Sequence, residues 1–159
     1  MELVETTHME HTLNLLSHKK KMDIFEAEMA KLPQLQVPVI HRFTEGLYIR
    51  EVHVPAGTVF TSRTHKTQHP FVISKGACDI VDEKGNITRV SAPHTGITEK
   101  GTRRVFAVYE DLVLTCFHPT ELTDPDEFVE LNTEMENELI PEDFKQNCFE
   151  GRERLTWRP

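Results

Sequence analysis

Apolar and polar positions divide this chain into a helical stretch, a long strand-rich stretch and a second helical stretch. Met22, Phe25, Met29 and Leu32 recur at intervals of three and four, drawing one apolar stripe on a helix over 19–32. Pro33 ends it. Lys19, Lys20 and Lys21 crowd its start, where positive charge opposes the helix dipole and favours fraying. The stripe reads as a docking face, for the sheet or for a partner subunit.

From Val37 the period shortens to that of strands. Val37–Ile40 and Leu47–Val54 are β-branched and aromatic, separated by the turn Thr44-Glu45-Gly46. Pro55-Ala56-Gly57 turns again. Ala77–Val81 and Ile87–Val90 flank a hairpin turn at Glu83-Lys84-Gly85-Asn86. Pro93–Gly96 breaks the chain, and Glu99–Thr102 turns it. Arg103–Tyr109 and Leu112–Phe117 read as a hairpin over Glu110-Asp111. Short strands at near-regular spacing with glycine at the corners predict two apposed antiparallel sheets, a sandwich or barrel.

At Thr123 the helical period returns, over 124–140. Asp124 supplies an N-cap, Pro125 the first helical position and Glu127 an acid three residues on. Phe128, Leu131, Met135 and Leu139 form its stripe, and Pro141 closes it. The tail to Pro159 places Phe144, Phe149, Leu155 and Trp157 among charges. Such side chains need a surface to cover, and with the first helix they predict at least a homodimer.

Candidate chemistry concentrates between Pro55 and Gly76. If Thr58–Thr67 runs as a strand, Arg63, His65 and Thr67 share one face, and His69 joins them while the chain stays extended. Two imidazoles and a guanidinium then enter one space, as a metal or ligand pocket requires. The blander reading makes His65 and His69 hydrogen-bonded interior residues. His41, His53 and His94 read as surface or loop residues, and His8, His11 and His18 belong to a polar leading segment.

Composition narrows the partners. A formal net charge of -8 on 159 residues argues against general binding to nucleic acid or anionic membrane, without forbidding a local cationic pocket. Cys78, Cys116 and Cys148 are odd in number and lack CxxC spacing, so they read as thiols in a reducing compartment. With no apolar run of spanning length and a polar start, the expected location is the cytoplasm.

Gly57, five residues, Arg63-Thr64-His65, three residues, His69, six residues and Gly76 match a known spacing. It resembles the first signature of the cupin family: glycine, five residues, a His-x-His pair, a short gap, glutamate, six residues, glycine. Arg63 stands at the first histidine and His69 at the glutamate. In Glu99-Lys100-Gly101-Thr102-Arg103-Arg104 the second signature keeps its glycine, with Arg104 at the position of its histidine. The wider chain, including PAGTVFTSRTHKTQH and EDLVLTCFHPTE, is similar to small cupin-like proteins of bacteriophages and prophages, which implies a host-cytoplasmic location.

The resemblance implies an all-β, cupin-type antiparallel β-barrel (jelly roll) with flanking N-terminal and C-terminal helices. Its parts would be 1–36, tail and helix; 37–120, barrel; and 121–159, helix and aromatic tail. A catalytic metal normally takes three protein ligands and an open position. His118 is the best third ligand beside His65 and His69, and imidazoles suit zinc, iron, nickel or copper as one divalent metal. A two-residue turn at 110–111 would send His118 outward, and a three-residue turn inward. Arg63 and Arg104 compete with a metal and attract an anion, unless carboxylates such as Glu51 or Asp79 neutralise them. The leading expectation is a small-molecule binding protein for an anionic ligand, using Arg63, Arg104, His65 and His69. A metal-dependent oxygenase or isomerase, and a virion or assembly protein, are the alternatives.

Overall fold

Alternation along the strands builds the interior. In Leu47–Val54, Tyr48, Val52 and Val54 are buried, and in Val105–Pro119 the even residues Phe106, Val108, Leu112, Leu114 and His118 are buried. The computed structural model describes residues 18–82, 84–134, 137–139 and 155–157. Their order is α1 (His18–Ala30), β1 (Val39–Thr44), β2 (Leu47–Val54), β3 (Val59–Thr61), β4 (Thr64–His65), β5 (His69–Val81) and β6 (Ile87–Ser91). There follow β7 (His94–Thr98), β8 (Val105–Pro119), α2 (Pro125–Asn132), β9 (Thr133–Glu134) and β10 (Leu155–Trp157). Phe144, Phe149, Met135, Cys148 and the histidines at 8 and 11 lie outside the described residues, as do the side chains of His18 and Trp157.

The expected all-β jelly roll with flanking helices is present, as an open bent sheet rather than a closed barrel. Eight strands share one hydrogen-bonded sheet, and β4 pairs with β9 in a second of two strands. The long strands β5 and β8 run antiparallel at its centre. β2 and β3 pair with successive parts of β8 on one side, and β7 and β6 with successive parts of β5 on the other. The two halves share one core that includes Val52, Phe60, Phe71, Ile73, Cys78, Ile80, Phe106 and Leu114.

The bend has a local cause. Inward residues of β5 are odd up to Ile73 and even from Cys78, with register shifts against β8 between those points. An extra residue in a strand flips which face each side chain takes. Gly76 sits in this bulge at φ +89°, against the backbone of Glu110 and Asp111. Opposite it, Tyr109, Glu110 and Asp111 are all exposed. The acidic pair therefore marks a corner in one continuous strand and not the expected hairpin turn. Both side chains are exposed at a bend, where the Asp111 carboxylate also accepts from the Ala56 amide at 2.9 Å, while the backbone stays extended and paired.

Other expectations need correction. The proposed strand Thr58–Thr67 is interrupted at Ser62 and Arg63, and Thr67 is exposed. His94 begins a strand, β7, where only a break was expected. On α1 the buried residues are Met22, Glu26 and Met29, whereas Phe25 is exposed, as is Leu32, which lies beyond the end of the helix at Ala30. Glu26 enters the stripe because Arg103 meets it at 2.9 Å, with Asp23 2.8 Å from the same guanidinium. Helix α2 begins as expected, with Asp124 accepting from the amides of Asp126 and Glu127 and Pro125 in the first turn. It stops at Asn132, because Thr133 turns extended and its hydroxyl donates to the Val129 carbonyl at 2.6 Å. Leu131 and Leu139 are consequently exposed. No helix among the described residues is long and apolar enough to cross a membrane.

Candidate functional site

Three histidines from three separate strands meet at one end of the bent sheet. His69 opens β5, and its neighbour Phe71 pairs with Cys116 of β8, so the same register two residues on sets His69 across from His118. His118 faces inward by the even-residue alternation of β8, which removes the dependence on turn length. The strand carrying it does not pair with Arg104; it pairs with β2, where Tyr48 stands opposite His118. His65 comes from the short β4, which is held by Thr133 of β9 and by the Gly101 amide donating to the His65 carbonyl at 2.8 Å.

The ring centroids lie 4.6 Å apart for His65 and His69, 5.2 Å for His65 and His118, and 4.2 Å for His69 and His118. One nitrogen from each falls within 4.8 Å of the others. Metal–nitrogen bonds of about 2.0–2.1 Å would close this triangle after small ring rotations. The Nδ1 atoms of His65 and His118 are buried without a hydrogen-bond partner, and such orphaned atoms in an interior are costly. His69 Nδ1 lies 3.4 Å from the Thr67 carbonyl, a contact that orients its ring.

Burial keeps all three imidazoles neutral, as ligation requires. It lowers His65 well below its usual range, with His69, Arg50, Arg104 and Arg63 adding to the effect. His69 falls to about 4, chiefly through burial, with Arg104 assisting against the Thr67 carbonyl. His118 falls to about 2, through burial and then the neighbouring His69, His65 and Arg50. Uncharged histidines packed together cost less than charged ones and leave lone pairs free for a metal. The residues present fit a divalent transition metal on both donor type and protonation state.

Around the triad is a cavity of about 50 Å³ whose lining, among the described residues, contains arginine, histidine and aromatic side chains and no carboxylate. Arg63 and Arg104 both line it, as expected from their positions. Neither Glu51 nor Asp79 neutralises them: Glu51 lies 2.7 Å from His53 and 3.5 Å from Arg42, and Asp79 accepts from Arg89 and Tyr109. Arg104 donates to Thr98 Oγ1 at 2.7 Å and lies over the rings of Phe71 and Phe106 at 5.0 and 5.1 Å. Its Nε is buried without a partner, and burial lowers its pKa.

Sequence reasoning missed several lining residues. Arg50 shares the parity of Tyr48, Val52 and Val54, a signal that was available. Cys116, half-buried on β8, also lines the cavity, whereas Cys78 is core and its thiol is pushed up to about 11 by burial. Phe128, Val129 and Thr133 roof the site from α2 and β9, and no short-range pattern announces this. His41, expected at the surface, is half-buried on β1, with Nδ1 2.6 Å from the Tyr48 hydroxyl.

No family model matches this sequence, and no curated protein matches it. Among solved structures, ectoine synthase from P. lautus is 11% identical with a TM-score of 0.53, over 65% of this chain and 78% of that one. An RmlC-like cupin with a double-stranded β-helix fold, from Methanocaldococcus jannaschii, is 12% identical over 54% and 81%, with a TM-score of 0.47. KdgF from Halomonas sp. is 19% identical over 55% and 82%, with a TM-score of 0.45. At 11% identity the likeness to ectoine synthase is one of fold.

Proposed function

We propose that this cupin-fold chain is a small-molecule binding protein holding one divalent transition metal on His65, His69 and His118, with an anionic ligand beside it. One observation carries the reading: three neutral imidazoles converge in a cavity where Arg104 has a buried, unpartnered Nε and, among the described residues, no carboxylate lines the wall. A guanidinium stays charged when buried and presents a planar fork suited to an oxyanion. The metal, when bound, supplies a Lewis-acidic position. The chain supplies the three nitrogen donors, the charge at Arg104 and an apolar enclosure that strengthens both. Arg63 and Arg50 also line the cavity wall.

The test is elemental analysis of the purified full chain together with mass spectrometry of any co-purifying small molecule. The expected result is about one metal ion per chain, lost in His118→Ala and His69→Ala, with an acid released on denaturation. A chain free of metal even after dialysis against zinc, iron, nickel and copper salts would overturn the metal reading. Three protein ligands also leave an open coordination position, as in metal enzymes, and this favours a metal-dependent oxygenase or isomerase as the second reading. Turnover of a bound acid by the metal-loaded protein, abolished by chelation, would select it.

A further inference from the structure

We infer that the pocket is selective for a short monocarboxylic acid, its carboxylate set against Arg104 and its hydrocarbon body lying under Phe128. The inference rests on the reading of the cavity as an anion site and specifies the class of anion. It begins from how unevenly the walls are polar. At one end the Arg104 guanidinium is bedded on Phe71 and Phe106, is tied to Thr98, and keeps Nε without a partner. The Phe128 ring forms the roof, 4.7 Å from the His118 ring, and is itself 2% exposed. Val129 continues this roof, and the Thr133 hydroxyl that adjoins it already donates to the Val129 carbonyl.

Arg50 and Arg63 also line the cavity but have partners of their own. The unsatisfied donor that an anion meets is therefore Arg104 Nε, while Phe128 and Val129 contribute carbon to the wall. Phosphate or sulfate has four oxygens that need donors, so those turned toward Phe128 and Val129 would be desolvated without compensation. A carboxylate concentrates its charge on two oxygens that match one guanidinium fork, and the rest of the molecule can be apolar. Size sets the length. At roughly 10–15 Å³ for each water-sized group, a cavity of about 50 Å³ admits about four. With the carboxylate counted as about two of these groups, the body is about one or two carbons long.

The experiment uses the full chain loaded with Co²⁺, whose visible spectrum reports ligands at the metal. It is titrated by calorimetry with formate, acetate, propionate, butyrate and valerate, and separately with phosphate and sulfate. The expected affinity rises about fourfold per methylene to propionate and falls at butyrate, with both inorganic anions binding more weakly than propionate. Arg104→Met should weaken propionate about thirtyfold or more while the variant still holds one cobalt. Phe128→Ala should move the optimum to butyrate or beyond, and Phe128→Leu serves the same purpose should the larger truncation not fold. Tighter binding of phosphate or sulfate than of any carboxylate would overturn the inference. So would an affinity independent of chain length, or one unchanged by Arg104→Met. The same chain-length order in protein that takes up no metal would sink the metal reading and leave this one standing, so the two fail separately.

Discussion

Gly76→Ala is the substitution whose cost the structure allows us to work out in two parts. The first is torsional: Gly76 has φ +89°, and a side chain in left-handed backbone costs about 1–2 kcal/mol. The second is steric. A Cβ there would collide with the Asp111 carbonyl oxygen and lie 2.8 Å from both the Asp111 carbonyl carbon and the Glu110 oxygen. These are backbone atoms at the corner of β8, so no rotamer change relieves the clash, and overpacking of this kind costs about 1–3 kcal/mol. The sum is about 2–5 kcal/mol, a large share of the roughly 5–15 kcal/mol that holds a domain folded. Gly101→Ala isolates the first part, because φ there is +76° but a Cβ would meet nothing within 4 Å. Urea unfolding followed by circular dichroism should give a loss of about 1–2 kcal/mol for Gly101→Ala and clearly more for Gly76→Ala. Equal losses in the two variants would refute the claim that close approach of β5 and β8 requires glycine at the bend.

Stability should also depend on pH through the histidine triad. Folding lowers these pKa values, to about 4 for His69 against an ordinary 6.5, so protons bind the unfolded chain first. Stability is then complete above pH 6.5 and falls as pH drops toward 4, by at most about 1.4 kcal/mol per pH unit for each histidine. Denaturation midpoints at pH 7.5, 6 and 5 check this, and a His69→Gln variant with an unaltered slope would refute the assignment. Arg103→Met takes the guanidinium away from buried Glu26 and half-buried Asp23, and should cost about 3–5 kcal/mol, whereas Arg103→Met with Glu26→Leu should recover much of it in the same assay. Metal at a hundredfold excess over its dissociation constant should raise stability by about 2.7 kcal/mol, measured as a shift in melting temperature that His65→Ala removes.

Much of this was legible along the chain because alternation is a strong signal. The strands of the bent sheet follow from it, but the inward face of His118 does not, because an assumed turn at Glu110-Asp111 leaves its direction open until that pair is seen to lie within one strand. The glycine spacing around His65 and His69 placed the pocket. What could not be read was whether a polar pair ends a strand or bends it. Glu110 and Asp111 look like turn residues because both are solvated, and a corner solvates them equally well. Glu26 was hidden for a related reason: its burial depends on Arg103, a partner far away in sequence. The roof of the cavity was hidden because α2 finds its place through tertiary packing of Phe128 on Tyr48 and His118.

The pairing of β4 with β9 has a consequence for the order in which the molecule can be made. All the strands that form the centre of the sheet have been synthesised once Pro119 is joined, and His69 and His118 belong to it. The strand that carries His65 pairs with Thr133 and Glu134, which are translated later. A chain ending between these points would hold seven of the eight strands of the main sheet but only His69 and His118 of the three imidazoles in their places. The candidate site therefore has its complete set of imidazoles only when the segment after Pro119 has folded back to pair β9 with β4.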